Sequence, residues 1–362
     1  MSEPEISRRG FMAGAPAAAA LREPVAVQPV ILSHLRAQGD PLRIVTMYRF
    51  EPEEVRQIQA AAPELKVEIA VAATREEFRR RLADAEVVYG SLNGADLDHA
   101  PKLKWLQAGA AGVEWMDARL RSSPVVVTNC ARIFAPGISE TAMGMLLCLT
   151  RGITKYYFPQ FLKRQWKPVG TPRSADHSEL AGRTMGIVGM GGIGSAVARR
   201  AHYGFDMRIV GTDAKPIPKP EYVAELRDPG WFEEMVPQAD VLVAAAPHTP
   251  DTDRMFNERV FRRMKSTAYF LALSRGNLFD DMALVRALKE GWIAGAGLDV
   301  FPKEPPPPDH PIFDCPNVVM TMHTSGWSPD RQRRLIELFA ENVRRYAHGL
   351  PLLNVVDKQK GY

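Results

Sequence analysis

The sequence predicts an α/β protein built from two doubly wound parallel-sheet domains, and three observations carry that prediction. The chain has 362 residues, and one core rarely grows past about 250–300 residues. From Leu42 to the C-terminus, short β-rich runs alternate with helical patterns, as βαβ units require. The glycine run Gly189-Met190-Gly191-Gly192-Ile193-Gly194 follows a strand-like run and opens a helix.

Composition fits a folded globular chain, with 46% hydrophobic and 24% charged residues. The 46 basic and 42 acidic side chains leave a net charge of +4 without basic clusters, which excludes a nucleic-acid footprint. Arg79-Arg80-Arg81 reads as the solvated face of a helix. Cys130, Cys148 and Cys315 are too few and too scattered for a disulfide framework or a metal site. Cys148, inside the apolar run 142–149, reads as a small core residue. No apolar stretch reaches the roughly 18 residues of a membrane span. Ser7-Arg8-Arg9-Gly10-Phe11-Met12 is similar to a twin-arginine export motif, but the stretch after it holds Pro16 and ends at Arg22. Residues 1–41 therefore read as an alanine-rich leader and linker before a cytoplasmic protein, with periplasmic export as the alternative.

The first set of runs comprises strands at 42–47, 66–71, 87–90, 103–107 and 125–129. Helices are expected at 51–62 and 75–85. A long helical pattern over 138–165 is interrupted only by Pro159, which is expected to kink or end it. A polar break follows at 167–178. The second set begins at Thr184, with strands at 185–188, 207–210, 241–245, 268–273, 296–300 and 318–321. Between them, Asp281 to Lys289 reads as a helix that stops at Gly291. A last helix is expected over 329–348.

The glycine run has G-x-G-x-x-G spacing. Gly189 permits the tight turn, Gly191 lets a pyrophosphate approach the backbone, and Gly194 lets the helix pack close to the strand. Met190, Gly192 and Ile193 complete the loop, whose helix N-terminus attracts phosphate. Asp213, nineteen residues past Gly194, can accept hydrogen bonds from the ribose hydroxyls and would repel a 2′-phosphate. NAD is therefore the expected cofactor. Lys215 and Lys219 nearby keep NADP as the alternative.

Five motifs occur in a defined order. They are 104–107 with Ala111-Gly112-Val113, the glycine loop, Ser274-Arg275-Gly276, 297–301 with Glu304-Pro305, and His323-Thr324-Ser325-Gly326. By these motifs the chain resembles the D-isomer-specific 2-hydroxyacid dehydrogenase family, in its glyoxylate/hydroxypyruvate-reductase-like branch. The chemistry suits the residues. A 2-keto acid presents a carboxylate beside a carbonyl, and the planar fork of Arg275 can grip both. His323 can supply the proton that accompanies hydride delivery. Glu304 matches the acid that orients this imidazole and favours its charged form.

The resemblance further implies that amides near Ala111 and Gly112 hold the substrate carboxylate. It implies that Asp299 contacts the nicotinamide carboxamide and that Pro247 and Leu273 border the cofactor. It implies a Rossmann nucleotide domain (138–323) inserted into a flavodoxin-like substrate domain (42–137 plus 324–362). The helix near 138–165 would join two copies in a homodimer. Two departures stand out: His248 replaces a leucine, and Ala272-Leu273 replaces a polar pair. A formate-dehydrogenase-like enzyme pairs its histidine with glutamine, which Glu304 opposes. A non-catalytic NAD-sensing corepressor-type protein is the remaining alternative. Side-chain specificity is expected from the loops near Leu92-Asn93 and from the lining after His323, including Trp327.

Overall fold

Parallel strands need a crossover between each pair, and the chain supplies one nearly every time. The computed structural model describes residues 40–169 and 177–362. The leader with Ser7–Met12, nearly all of the linker, and the middle of the polar break lie outside the described residues.

The first sheet contains β1 (Leu42–Thr46), β2 (Val67–Val71), β3 (Val87–Gly90), β4 (Trp105–Ala108) and β5 (Val126–Thr128), joined through α1 (Pro52–Ala60), α2 (Arg75–Arg81) and α3 (Ala118–Ser122). Its order is β2-β1-β3-β4-β5, all parallel, the flavodoxin-like arrangement.

Next come α4 (Ala135–Thr150) and α5 (Phe158–Leu162), then the second sheet: β6 (Thr184–Val188), β7 (Arg208–Thr212), β8 (Glu225–Arg227), β9 (Val241–Ala244), β10 (Tyr269–Ala272), β11 (Gly295–Leu298) and β12 (Val318–Met320). Its helices are α6 (Gly192–Phe205), α7 (Phe232–Met235), α8 (Glu258–Arg263) and α9 (Asp281–Lys289), and α10 (Pro329–Ala347) follows β12. The order β12-β11-β10-β9-β6-β7-β8 is a Rossmann sheet with one added edge strand. Strand order reverses between β6 and β9, so the glycine loop after β6 lies at the switch point.

The long helical run divides. It stops at Arg151, and Gly152 takes φ +63° as the left-handed residue that ends a helix. A π-helical turn at Ile153–Tyr157 precedes α5. Pro159 lies in the first turn of α5, where a missing N–H costs nothing, so it kinks no helix. The short strand β8 had no apolar signal, because a three-residue edge strand buries almost nothing.

Two packing relations tie the sheets together. Ile138, Ala142, Met143 and Leu146 of α4 pack with Met185, Ile187 and Leu271 of the second sheet. Ile336, Phe339, Val343 and Tyr346 of α10 return to the first sheet and pack with Leu42, Ile44, Tyr89 and Trp105. A buried polar chain fixes that return: Trp105 Nε1–H donates to Thr128 Oγ1 at 2.8 Å, the Thr128 hydroxyl to Gln107 Oε1 at 2.9 Å, and Asn342 Nδ2–H to the same Oε1 at 3.1 Å. Among the described residues no helix is long and apolar enough to cross a membrane.

Phe339 is fully buried and meets the rings of Tyr89 at 4.7 Å and Trp105 at 5.6 Å. Truncating such a ring removes both transfer energy and packing. Phe339→Ala is expected to cost about 3–5 kcal/mol in denaturant unfolding. A loss under about 1 kcal/mol would contradict this view of the α10 interface.

Candidate active site

The glycine loop has the shape its sequence demands. Gly189 adopts φ +91°, and a Cβ there would strike the Ala246 backbone at 2.6 Å. A Cβ on Gly194 would overlap the Gly189 carbonyl, whereas one on Gly191 would meet nothing within 4 Å. The loop is thus closed against β9 and open outward at Gly191. Helix α6 begins there with no side chain capping its first turn, which leaves its amides for an anion. These features fit a dinucleotide pyrophosphate.

Asp213 follows β7. Its Oδ2 accepts the Met190 amide at 2.8 Å and its Oδ1 the Lys215 amide at 2.8 Å. The carboxylate is therefore bound to the glycine loop itself. The two nearby lysines are directed elsewhere: Lys215 Nζ lies 4.3 Å from the Tyr362 ring centroid, and Lys219 Nζ donates to the Val223 carbonyl at 2.7 Å.

The loop after β4 carries Ala111 and Gly112. Its carbonyls are engaged: Cys130 N–H donates to Ala110 O at 3.0 Å, Asn129 Nδ2–H to Ala111 O at 2.8 Å, and Trp115 Nε1–H to Gly112 O at 3.1 Å. The amides of Ala111 and Gly112 donate to no protein acceptor among the described residues. Pinned carbonyls with free amides suit a carboxylate ligand.

Arg275 follows β10. Ser274 Oγ–H donates to Ala246 O at 2.7 Å, which fixes the start of the turn. Gly276 packs so closely on Phe301 that a Cβ would overlap that backbone. The guanidinium reaches the other domain, where Nε–H donates to Glu114 Oε1 at 2.7 Å and Nη2–H to Oε2 at 3.4 Å. A side chain on Gly112 would occupy the guanidinium's position. Burial pushes the Glu114 carboxyl up, but the Arg275 hydrogen bond and charge, aided by its own amide and the charge of His248, hold it below the ordinary glutamate value. His248 Nε2 also meets Asp253 Oδ1 at 2.8 Å.

His323 follows β12, with φ +54°, unusual for a residue with a side chain. Its backbone N–H donates to Asp299 O at 2.8 Å. The Asp299 carboxylate accepts the Thr321 hydroxyl at 2.6 Å, the amides of Thr324 and Ser325 at 3.1 Å, and the Ser325 hydroxyl. The turn is thereby fixed, and His323 Nδ1 meets Glu304 Oε2 at 2.8 Å. Glu304 Oε1 accepts the Phe301 amide at 2.9 Å. Phe301 thus touches both the Arg275-Gly276 turn and Glu304, which links the arginine turn to the imidazole through three contacts.

A profile described as "D-isomer specific 2-hydroxyacid dehydrogenase, NAD binding domain" matches residues 143–325. A glyoxylate reductase of Korarchaeum cryptofilum is 36% identical over 263 residues, 72% of this chain and 78% of that protein. The chain belongs to the D-isomer specific 2-hydroxyacid dehydrogenase family. A solved member of this family from Aeromonas salmonicida superposes with a TM-score of 0.73 at 28% identity, over 89% of this chain and all of that one. An NADPH-dependent glyoxylate/hydroxypyruvate reductase of Sinorhizobium meliloti, solved with NADP and sulfate, gives a TM-score of 0.72 at 27% identity, over 88% of this chain and 99% of that one.

Within this dehydrogenase, several expected residues have other surroundings. Leu273 is buried in the core beneath the glycine loop. Asp299 is almost fully buried and binds the His323 turn. Leu92 is a core residue, and Asn93 is exposed, with its Oδ1 accepting the Asp96 amide at 3.1 Å as a cap. Trp327 is exposed, as is Met322 beside His323. Pro247 is exposed beyond the end of β9. Cys148 is only half-buried, not a core residue. Glu114 was not anticipated from the sequence, since nothing local ties an acid after Val113 to an arginine 161 residues away.

The dehydrogenase offers a titration test at Glu114. Its lowered folded value means that any stabilisation from the Arg275 pair is present above the ordinary glutamate value and lost as pH falls through the lower one. Carbon-detected NMR of the Glu114 carboxyl should give a midpoint below 4.5 in the wild type, the unperturbed value. In Arg275→Gln the two largest lowering influences are lost and burial is opposed only by the Glu114 amide and His248, so the midpoint should rise above the wild-type one. An unchanged midpoint in the variant would contradict the pairing.

Proposed function

We propose that this enzyme uses NADH to reduce a small 2-keto acid of the glyoxylate or hydroxypyruvate kind to its D-2-hydroxy acid, and runs the reverse oxidation with NAD. The observation that carries the reading is the Glu304–His323 pair, held at 2.8 Å, with Glu304 on the loop whose Phe301 packs against Gly276 beside Arg275. The names of the curated relatives agree with this substrate class.

The glycine loop with Met190, Gly192 and Ile193, and the N-terminus of α6, would hold the cofactor pyrophosphate. Asp213 would accept from the adenosine ribose, and Pro247, the backbone of Leu273 and Asp299 would border the nicotinamide end, Asp299 chiefly by holding the turn. When bound, the nicotinamide supplies or accepts the hydride. Amides of Ala111 and Gly112 would bind the substrate carboxylate, while Arg275 grips it and polarises the carbonyl. A carboxylate opposite Nδ1 requires Nδ1–H to donate, so Nε2 is the nitrogen that gives the carbonyl oxygen its proton.

NADH is proposed over NADPH because Asp213, bound to the glycine loop, would meet the ribose, and Lys215 and Lys219 have contacts of their own. The neighbour from Sinorhizobium meliloti was solved with NADP, so the preference belongs to this chain's own residues. The same reading divides the chain into a leader and linker (1–41), a substrate domain (42–137 plus 324–362) and an inserted nucleotide domain (138–323). The packing of α4 and α10 supports that division. Closure of the cleft would exclude water. The cytoplasm, where nicotinamide is recycled, is the proposed site of action.

Exposed Phe158, Phe161, Leu162 and Trp166 form an apolar run at α5, which supports a homodimer joined there. Light scattering should give twice the mass of one chain, and a single-chain mass would remove this part of the reading.

The direct assay follows NADH oxidation with glyoxylate, hydroxypyruvate, pyruvate and phenylpyruvate. His323→Ala should lower kcat by about 10²–10⁴-fold while NADH binding, read by its fluorescence, persists. Full turnover in that variant would refute the acid–base assignment. Faster turnover with NADPH would refute the reading of Asp213.

A further inference from the structure

The crevice served by Arg275 already contains one carboxylate. Glu114 takes the Nε–H and Nη2–H donors of the guanidinium, at 2.7 and 3.4 Å, and Nη1–H donates to Ser274 O at 2.6 Å. The positive charge available to a ligand is thus largely compensated before any ligand arrives. Glu114 keeps its charge, because Arg275 and His248 hold it ionised against burial. It is also part of the wall, one loop residue past Val113 and beside the free amides of Ala111 and Gly112.

We propose that Glu114 selects the substrate by charge: it admits 2-keto acids with a single carboxylate and rejects those carrying a second anionic group beside the carbonyl. The inference rests on the reading of Arg275 as the substrate clamp. One carboxylate finds compensation in the guanidinium and the loop amides. A second faces a fixed like charge at short range, held in place by the guanidinium. Glu114 also holds the guanidinium in place, so it is a positioning and selectivity residue rather than one that reacts. A neutral side chain there would keep the position and abolish the discrimination.

Oxamate and oxalate test this, because they share a shape and differ by one negative charge. Their binding to the NADH-loaded enzyme is read by calorimetry. The wild type is expected to bind oxamate at least about tenfold tighter than oxalate. Glu114→Gln keeps the size and one acceptor oxygen, and should narrow the ratio to within about threefold. Glu114→Asp keeps the charge and should keep the preference, which controls for folding. A merely structural role would weaken both ligands equally and leave the ratio unchanged in Glu114→Gln. That result, or equal binding of the two ligands by the wild type, overturns the proposal. Turnover of glyoxylate against ketomalonate should follow the same pattern in kcat/KM. Failure of the reductase reading shows separately, as no NADH oxidation with any 2-keto acid while the oxamate preference persists.

Discussion

A parallel sheet delivers the carboxyl end of every strand to one edge, and the site depends on that constraint. The Ala111-Gly112 loop follows β4. The glycine loop follows β6, Asp213 follows β7, Pro247 follows β9, Arg275 follows β10, Asp299 follows β11, and His323 follows β12. Seven loops reach one region because the twelve strands among the described residues run in parallel within two sheets. The Arg275–Glu114 pair shows that the two edges face each other, since its partners belong to different sheets. Ligands in open α/β folds bind outside such edges for this reason. Residues far apart in sequence need no further device to meet.

Within that frame, carboxylates do the precise positioning. Asp299 gathers four donors from residues 321–325, which stabilises a turn whose central histidine has a positive φ. A left-handed residue with a side chain costs about 1–2 kcal/mol, and those hydrogen bonds offset it. Glu304 receives the Phe301 amide on one oxygen and the imidazole on the other. The imidazole proposed as the acid–base group is therefore fixed by bonds that the sequence alone does not display. Preorganisation of this kind is what lets a modest set of polar groups act on a small substrate.

The fold was legible where periodicity and punctuation were strong. Asp281–Lys289 has a capping aspartate before it and a glycine after it, and it forms the helix its pattern predicts. Eleven of the twelve strands follow from apolar runs, with ends shifted by a residue or two. β8 was hidden because an edge strand of three residues carries no burial signal. The break at Gly152 was masked by a more conspicuous proline a few residues later. At the site, the glycine loop, Arg275, Glu304 and His323 could be proposed from motifs that occur in the order of the family they resemble. Glu114 could not, because its partner is set by the third dimension. Asp299 could be named but not its main contacts, and Leu273 faces the core because the strand end, not the motif, decides its direction.

Transfer of the nicotinamide hydrogen to carbon 2 of the acid is the claim on which the rest turns. It is tested most directly with NADH deuterated at C4 of the ring and hydroxypyruvate as acceptor, by mass spectrometry and chiral separation of the product. The account predicts one deuterium at carbon 2 of D-glycerate. Product without deuterium, product of the L configuration, or no product at all would contradict it.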